Sequence, residues 1–246
     1  MTAFTDEEVR QQIASVRQWY HAIEVRPGIV TPGANAADLV LERLELPQDC
    51  RGLRALDIGA RDGFFSFELE RRGAEVVAVD YMAADKTGFG VASRLLDSKV
   101  RFVHGNIYEL TPEALGVFDI VLFLGLIYHL PDPFGALEIV RRLSRGRMCL
   151  ESHVIDHALQ QSDGAWRDLP EDLRAVPLMQ FYPGRTMNDD PTNFWGPNLA
   201  CLEAMARETR FEVTSSHLVG ARGIVNCRAV EDKDREFYNR IAREKA

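Results

Sequence analysis

The sequence predicts an α/β fold, and three patterns along its 246 residues indicate it. Short, continuously apolar segments such as Val76–Val79 alternate with amphipathic segments of helical length. Strands that are apolar on both faces are typical of a parallel sheet with helices on both sides. A glycine turn follows the first core strand, and two strands around a short glycine loop come last. We therefore expect a Rossmann-like, doubly wound, mostly parallel seven-stranded sheet with an antiparallel C-terminal hairpin.

The N-terminal part is expected to be helical. Thr5 and Glu8 form the pattern of a capping box, which predicts a helix over 5–24. A loop rich in proline and glycine then leads to a second amphipathic helix over 35–45. We interpret residues 1–48 as a helical cap on the domain that follows.

The domain over residues 49–246 alternates strands and helices. Its predicted elements are strand 53–58, helix 63–72, strand 75–80, helix 88–97, strand 100–105, strand 118–124, helix 133–144, strand 146–151, helix 197–208, strand 211–218 and strand 224–230. The last two strands are joined by a short glycine loop, so they must be antiparallel. Between the fifth strand and the helix at 197 lies the insertion 153–197, about 45 residues long. Loops of that length in compact domains are usually functional, so we expect a substrate lid.

Composition limits the classes of function. The formal net charge is −8 at pH 7, whereas proteins that hold nucleic acid usually carry a basic surface. One local group of cations is interpreted as the end of a surface helix, where the helix dipole favours positive charge: Arg141, Arg142, Arg145 and Arg147. The four cysteines are scattered, which indicates reduced thiols rather than a metal–thiolate site.

The hydropathy pattern gives no sign of a membrane partner. No apolar run approaches the roughly 20 residues that a membrane span needs. The acidic N-terminus has no signal-peptide core. We expect a cytoplasmic protein.

The turn after the first core strand points to a nucleotide ligand. Gly59 and Gly63 lack a Cβ, so the backbone can turn sharply and approach a ligand closely. Asp80 ends the next strand 21 residues after Gly59, where an acidic residue can accept hydrogen bonds from a ribose diol. The dinucleotide fingerprint would have glycine at the positions of Arg61 and Phe64. Its second glycine admits a pyrophosphate, so Arg61 favours an adenosine ligand without one, such as S-adenosylmethionine.

This region resembles motif I and the following acidic strand end of class I S-adenosylmethionine-dependent methyltransferases. Their acidic-x-Gly-x-Gly-x-Gly pattern is present as Asp57-Ile-Gly-Ala-Arg-Asp-Gly63, with the middle glycine replaced. The resemblance implies S-adenosylmethionine as cofactor and S-adenosylhomocysteine as product. The cofactor-binding residues that it implies are Asp57, Gly59, Ala60, Arg61, Gly63, Phe64, Asp80, Tyr81, Met82, Asn106, Ile107, Leu124 and Gly125. Taken singly, each has a structural alternative: a tight turn for the glycines, and a helix cap for Asp80.

A second motif follows the fourth core strand. Tyr128-His-Leu-Pro-Asp132 resembles an arrangement found in many small-molecule methyltransferases. An alcohol is a weak nucleophile until it loses its proton, so a histidine over the cleft is a natural general base. The alternative is that His129 only supports the turn before Pro131. We predict His129 and, after the fifth strand, His153 as the catalytic residues.

Polar and aromatic side chains outside the cofactor motif are candidates for acceptor binding. Aromatic and amide groups on loops suit a mostly apolar pocket with a few orienting polar groups. The predicted substrate-binding residues are Trp19, Tyr20, His21, Tyr128, Glu151, Tyr182, Asn193 and Trp195. For Trp19 the alternative is packing of the N-terminal helix on the sheet.

Another group of polar residues contains possible ligands for a divalent metal ion. Glu151, His153 and Asp156 could ligate a divalent ion together with Asp189 or Asp190. Their spacing fits no dedicated metal motif. We therefore favour a polar loop without an ion and predict no metal site.

Beyond the cofactor motif, the chain is similar to the family of the bacterial tRNA wobble-uridine carboxymethyltransferase and its relatives over about residues 19–215. The matching segments are Gly125-Leu-Ile-Tyr-His129, Glu151-Ser-His-Val-Ile-Asp156 and Phe194-Trp-Gly-Pro-Asn198. That enzyme acts on tRNA and uses a carboxylated cofactor, which needs cations near the sulfonium. The lysines of this chain lie outside the cleft motifs, so plain methyl transfer is favoured.

The sequence therefore predicts an S-adenosylmethionine-dependent methyltransferase, with a hydroxyl of a small polar acceptor, such as a sugar or secondary metabolite, as the methylated group. Its partner would be this small molecule, and nucleic acid is not expected. One alternative is a tRNA wobble-uridine (carboxy)methyltransferase that uses the arginines at 141–147. The other is a non-catalytic S-adenosylmethionine-binding module, for which His129 would have no use.

Overall fold

A central sheet with helices on both faces dominates the structure, a computed structural model that describes residues 4–35, 37–161 and 163–231. The helices are α1 (Asp6–Ser15), α2 (Ala37–Leu41), α3 (Phe64–Arg71), α4 (Phe89–Leu95), α5 (Pro112–Leu115), α6 (Pro133–Leu143) and α7 (Leu199–Glu208). The strands are β1 (Glu24–Arg26), β2 (Ile29–Val30), β3 (Arg54–Ile58), β4 (Glu75–Asp80), β5 (Arg101–His104), β6 (Phe118–Leu124), β7 (Ser144–His153), β8 (Ala158–Gln160), β9 (Trp166–Asp168), β10 (Met179–Phe181), β11 (Trp195–Pro197), β12 (Phe211–Val219) and β13 (Arg222–Ala229). Short 3₁₀ turns lie at Ile107–Glu109, Ile127–His129 and Glu171–Leu173.

The main sheet has seven strands in the order β12-β13-β7-β6-β3-β4-β5. The five strands from β7 to β5 are parallel, and β13 is antiparallel to both β7 and β12. The predicted doubly wound, mostly parallel sheet with an antiparallel C-terminal hairpin is thus confirmed. The chain leaves β3 toward β4 on one side and returns as β6 on the other. Such a switch point opens a crevice at the carboxyl ends of the strands.

Both faces of the central strands are buried, as their continuous apolar sequences predict. Leu56 of β3 packs in one core cluster with Leu137 of α6. Its neighbour Ala55 packs in a second cluster with Leu69 of α3. Successive strand residues face opposite sides of a sheet, so the helices before and after the switch point cover different faces.

The N-terminal segment differs from the prediction. The capping box is present, because Thr5 N donates to Glu8 Oε2 at 2.7 Å and Glu8 N donates to Thr5 Oγ1 at 3.3 Å. The helix ends at Ser15, however, so the predicted extension to residue 24 is wrong. The following chain is extended and forms the β1–β2 hairpin, and α2 is shorter than the predicted helix over 35–45.

The insertion 153–197 contains two small hairpins that were not predicted. Strand β8 pairs with β9, and β10 pairs with β11, both antiparallel. A separate apolar cluster of Ile155, Tyr182 and Met187 anchors the insertion. Ile155 N also donates to Pro197 O at 3.0 Å, which ties its start to its end.

The length and hydropathy of the helices decide whether one of them could span a membrane. Within the residues that the structure describes, no helix combines the length and the apolar character needed to cross a bilayer.

Candidate functional site

A cleft of about 1010 Å³ lies at the carboxyl ends of β3, β4, β6 and β7, where the switch point predicts a ligand. Pockets for single drug-sized ligands measure about 300–1,000 Å³, so this cleft has room for an adenosine cofactor beside a small acceptor. The sequence-predicted residues that line it are Tyr20, His21, Asp57, Gly59, Arg61, Asp80, Tyr81, Asn106, Ile107, Leu124, Gly125, Tyr128, His129, Glu151, His153, Tyr182, Asn193 and Trp195. The predicted residues outside its lining are Trp19, Ala60, Gly63, Phe64 and Met82.

The two glycines of the turn after β3 have different structural roles. Gly59 lines the cleft with a φ of +82°, a conformation that favours glycine. Gly63 has a φ of +93°, and a Cβ there would lie 2.6 Å from the Phe67 ring and 2.8 Å from the Phe89 ring. Gly63 is therefore required by packing at the start of α3, whereas Gly59 brings backbone to the cleft.

Asp80 closes the turn by accepting two backbone hydrogen bonds. Arg61 N donates to its Oδ2 at 2.8 Å, and Met82 N donates to its Oδ1 at 2.8 Å. Each carboxylate oxygen keeps a free lone pair, because a carboxylate has about four acceptor sites. The helix-cap alternative for Asp80 is wrong, since Gly88 is the N-cap of α4.

Asp57 is a buried carboxylate next to this turn. Ser66 Oγ donates to its Oδ2 at 2.6 Å. Burial raises the pKa of Asp57 to about 6, against the lowering effect of the Ser66 hydrogen bond, and the negative charge of Asp80 raises it further. A cation in the cleft would favour the ionised form.

These residues fit S-adenosylmethionine. Asp80 offers free lone pairs for ribose hydroxyls, and Asp57 offers negative charge for a sulfonium cation. The ring of Tyr81 is 71% exposed beside Asp80 and, like the buried Ile107, lines the cleft where an adenine would stack. At Gly59, a Cβ would be in van der Waals contact with the Leu126 side chain at 3.4 Å.

Asp62 is a functional residue that sequence reasoning missed. It is fully buried, and its Oδ2 accepts Tyr20 N at 2.6 Å and His21 N at 3.0 Å, while its Oδ1 accepts Gly88 N at 2.8 Å. One carboxylate thus fastens the N-terminal segment and the start of α4 to the cofactor turn. A carboxylate in a buried glycine turn was the available signal, because buried charges require partners.

The N-terminal segment contributes Tyr20 and His21 to the cleft but not Trp19. The Trp19 indole packs in a core cluster with α1 and α4, and its Nε1 donates to Ile13 O at 3.0 Å. The structure therefore places Trp19 in the packing role, away from an acceptor. Burial lowers the pKa of His21 to about 4, so this ring is neutral near pH 7.

Arg222 is the second residue that sequence reasoning missed. Its Nη2 donates to Glu151 Oε2 at 2.8 Å, its Nε donates to Glu151 Oε1, and its Nη1 lies 3.4 Å from the Tyr128 hydroxyl. The guanidinium also lies 5.1 Å from the centre of the Tyr128 ring. The position of the lysines therefore does not exclude a cation near the sulfonium, because Arg61 and Arg222 both line the cleft. The signal for Arg222 was its place in the glycine loop beside the strand that carries the buried Glu151.

The ligands considered for a metal are otherwise engaged. Glu151 is paired with Arg222, and Asp156 Oδ2 accepts Leu199 N at 2.8 Å at the start of α7. Among residues 4–35, 37–161 and 163–231, no group of three or more His, Cys, Asp or Glu side chains is placed to hold a metal ion.

The two predicted catalytic histidines differ in their surroundings. His153 Nε2 lies 3.1 Å from the Tyr182 hydroxyl, and burial lowers the pKa of His153 to about 4. Burial raises the pKa of Tyr182 to about 12, so the Tyr182 hydroxyl keeps its proton near pH 7. The Nε2 atom of His153 is therefore engaged in the hydrogen bond with the Tyr182 hydroxyl.

His129 lies in the 3₁₀ turn after β6, with its Nδ1 3.2 Å from Thr192 O and 3.0 Å from Thr192 Oγ1. Burial lowers the pKa of His129, so a neutral ring prevails near pH 7. Its Nδ1 is therefore held by the insertion, which leaves Nε2 for chemistry.

Comparison with known sequences agrees with the cofactor half of the cleft. A family model described as a methyltransferase domain matches residues 56–149. The ubiquinone biosynthesis O-methyltransferase of Hahella chejuensis is 30% identical over 108 residues, which is 44% of this chain and 44% of that protein. The tRNA U34 carboxymethyltransferase of Pseudomonas aeruginosa is 28% identical over 179 residues, which is 71% of this chain and 50% of that protein. Matches to the curated relatives span 18–57% of their length.

Solved structures share the whole fold. The N-terminal domain of EvdMO1 with S-adenosylhomocysteine bound has a TM-score of 0.66 at 18% identity, covering 94% of this chain and 100% of that one. The same domain, determined in the presence of S-adenosylhomocysteine and D-fucose, has a TM-score of 0.59 at 18% identity over the same shares. At this sequence identity the likeness is one of fold.

Proposed function

We propose that this chain, in which a methyltransferase-domain model matches residues 56–149, is a class I S-adenosylmethionine-dependent methyltransferase that methylates a hydroxyl of a small polar acceptor, such as a sugar or a secondary metabolite. One observation carries the proposal. A neutral histidine, His129, lines the acceptor side of the cleft with one ring nitrogen anchored and the other left as a base.

Methyl transfer to a hydroxyl requires a base, a correctly oriented acceptor and a cleft from which water is excluded. When bound, S-adenosylmethionine supplies the methyl group, so that the acceptor oxygen forms the new bond to carbon while the carbon–sulfur bond breaks with its electron pair on sulfur. His129 Nε2 takes the hydroxyl proton, which makes the oxygen nucleophilic. The N-terminal segment, held by Asp62, and the insertion enclose the cleft and orient the acceptor.

The acceptor half of the cleft is rich in hydrogen-bonding groups. The Glu151–Arg222 pair and the His153–Tyr182 pair face the same space. Asn193 Oδ1 is buried there without a hydrogen-bond partner, while its Nδ2 donates to Met187 O at 3.0 Å. Such groups suit a ligand with several hydroxyls. The relative named as a ubiquinone biosynthesis O-methyltransferase supports an oxygen atom as the acceptor.

A second candidate is carboxymethyl transfer to a tRNA uridine. Arg222 favours it, because a carboxylated cofactor needs a cation in the cleft, and so does the relative named as a tRNA U34 carboxymethyltransferase. We rank it second because Glu151 already neutralises Arg222.

The arginines at 141–147 give this candidate little support. Arg141 donates to three backbone carbonyl oxygens, and Arg145 is paired with Asp119. They lie at the end of α6 and the start of β7, at the opposite end of that strand from the cleft. Arg141 and Arg145 are therefore engaged in hydrogen bonds and an ion pair away from the cleft, and they give a phosphate backbone at the cleft little support.

The test is transfer of a labelled methyl group from S-adenosylmethionine to a panel of glycosides, polyols and phenols. We expect wild-type turnover of at least one acceptor. His129→Ala should lose about two to four powers of ten in kcat, the usual share of a general base. His217→Ala, a histidine on β12 outside the cleft, is the matched control and should retain activity.

Three outcomes would contradict the proposal. Unchanged turnover by His129→Ala would remove the base. Methylation of tRNA alone, steeply weakened by salt, would favour the second candidate. Cofactor binding without transfer to any acceptor class, tRNA included, would indicate a non-catalytic binding module.

A further inference from the structure

The end of the insertion is hydrogen-bonded to the 3₁₀ turn that carries His129. Phe194 N donates to Tyr128 O at 2.9 Å, and Trp195 Nε1 donates to Leu130 O at 3.0 Å. Thr192 contacts the His129 ring itself. The residues around Thr192 thus form a fixed support for the 3₁₀ turn rather than a free flap.

The partners of His129 Nδ1 determine where its proton lies. Thr192 O is a carbonyl oxygen and can only accept, so Nδ1 must carry the hydrogen. Thr192 Oγ1 gives its own proton to Asp190 Oδ1 at 2.7 Å, so toward Nδ1 it also acts as an acceptor. In a neutral ring, a proton on Nδ1 leaves the lone pair on Nε2.

The Asp190 side chain accepts two hydrogen bonds from Thr192. Its Oδ1 accepts the Thr192 hydroxyl and also Thr192 N at 2.8 Å. Side-chain and backbone hydrogen bonds from Thr192 lower the pKa of Asp190, which keeps it ionised. The hydroxyl is therefore oriented away from His129, with its lone pairs toward the ring.

On the basis of the proposed function, we propose that Thr192 is a positioning residue, supported by Asp190, that holds His129 in the Nδ1–H tautomer with Nε2 directed to the acceptor. When Nε2 takes the acceptor proton, the ring becomes a cation. The charged groups acting on it are Asp190 of the insertion, which favours the cation, and Arg222 of β13, which opposes it. Arg222 is itself paired with Glu151 of β7, and the Tyr128 ring lies 4.1 Å from that of His129.

The test combines a spectroscopic readout with kinetics. In protein labelled with 15N-histidine, ring signals assigned through His129→Gln report the tautomer directly, without acceptor or cofactor. We expect the Nδ1–H tautomer for His129 in the wild type. Thr192→Val removes one of the two acceptors of the Nδ1–H group and keeps the carbonyl, so the Nδ1–H tautomer should remain the major form with a smaller population than in the wild type.

Kinetics on the best acceptor should follow the tautomer. We expect kcat of Thr192→Val to fall about 2- to 12-fold, the loss of one ordinary hydrogen bond, with KM little changed. Thr192→Ser should restore both tautomer and kcat, and Asp190→Asn should show a partial defect. Thr186→Val, in an exposed part of the insertion outside the cleft lining, is the matched control.

Two outcomes would overturn the inference. One is an Nε2–H tautomer in the wild type. The other is a Thr192→Val protein with both tautomer and kcat unchanged, while circular dichroism and S-adenosylhomocysteine affinity confirm its fold. An Nδ1–H tautomer in a protein that methylates no acceptor would instead reject the proposed function and leave this support of His129 standing.

Discussion

Single carboxylates in the cofactor half of the cleft owe their behaviour to their immediate neighbours. Asp80 is satisfied by backbone N–H groups, whereas Asp57 is buried with one hydroxyl donor and faces a like charge. Two acidic residues of one motif therefore have different electrostatic roles.

The pKa of Asp57 predicts how stability changes with pH. Its folded pKa of about 6 lies above the unfolded value of about 3.9. Its stabilising contribution is therefore fully present below about pH 4 and is lost as pH rises through 6. Relative to Asp57→Asn, the wild type should lose on the order of 2–3 kcal/mol of unfolding free energy between pH 4 and 7, measured by urea titration.

The same comparison supplies its own control. Asp119→Asn, in an exposed ion pair that lowers the carboxyl pKa, should show the opposite trend with pH, if any. A constant difference between wild type and Asp57→Asn across this range would contradict the assigned environment of Asp57.

Residues were predictable from the sequence where their neighbours along the chain carry the signal. The spacing of Gly59 and Asp80 is local to one βαβ unit, so both were found. Thr192 was not, because its partner His129 lies 63 residues away in sequence. Arg222 and Glu151 are 71 residues apart, and only strand pairing brings them together.

At the level of elements, continuous apolar runs were the reliable guide. The strands 75–80 and 118–124 were predicted with their observed bounds. The helix over 5–24 failed, because Asp62 takes the backbone N–H groups of Tyr20 and His21 that a helix would use. The three-residue strands of the insertion are too short to show a period.

Asp62 should therefore control an element far from it in sequence. Asp62→Ala leaves three backbone N–H groups without their acceptor, and the two buried ones, at His21 and Gly88, cost about 1–3 kcal/mol each. We expect a loss of at least about 2 kcal/mol in unfolding free energy and faster amide hydrogen exchange at Tyr20, His21 and Gly88.

The matched control is Asp85→Ala, which removes an exposed carboxylate between β4 and α4. It should change neither stability nor exchange by a measurable amount. Protection of Tyr20 and His21 unchanged in Asp62→Ala would show that the segment is held by other contacts.

At the scale of the whole molecule, the order of the strands determines where the cleft lies. Pairs of side chains that are distant in sequence then line it. The switch point between β4 and β6 was predictable from the order of strands and helices. The Glu151–Arg222 pair joins the parallel part of the sheet to the antiparallel hairpin and also lines the acceptor space. Fold and cleft lining therefore share residues, and this pairing was not predictable from the sequence because strand pairing brings its two members together.

The central claim is that this cleft binds the cofactor through Asp80. Calorimetric titration of the purified protein with S-adenosylhomocysteine tests it most directly, beside Asp80→Ala and the exposed control Asp85→Ala. We expect micromolar binding by the wild type and Asp85→Ala, and at least tenfold weaker binding by Asp80→Ala, because ribose hydroxyls lose a charged acceptor worth about 1.5–3 kcal/mol. No binding by the wild type, or equal affinity in Asp80→Ala, would contradict the account.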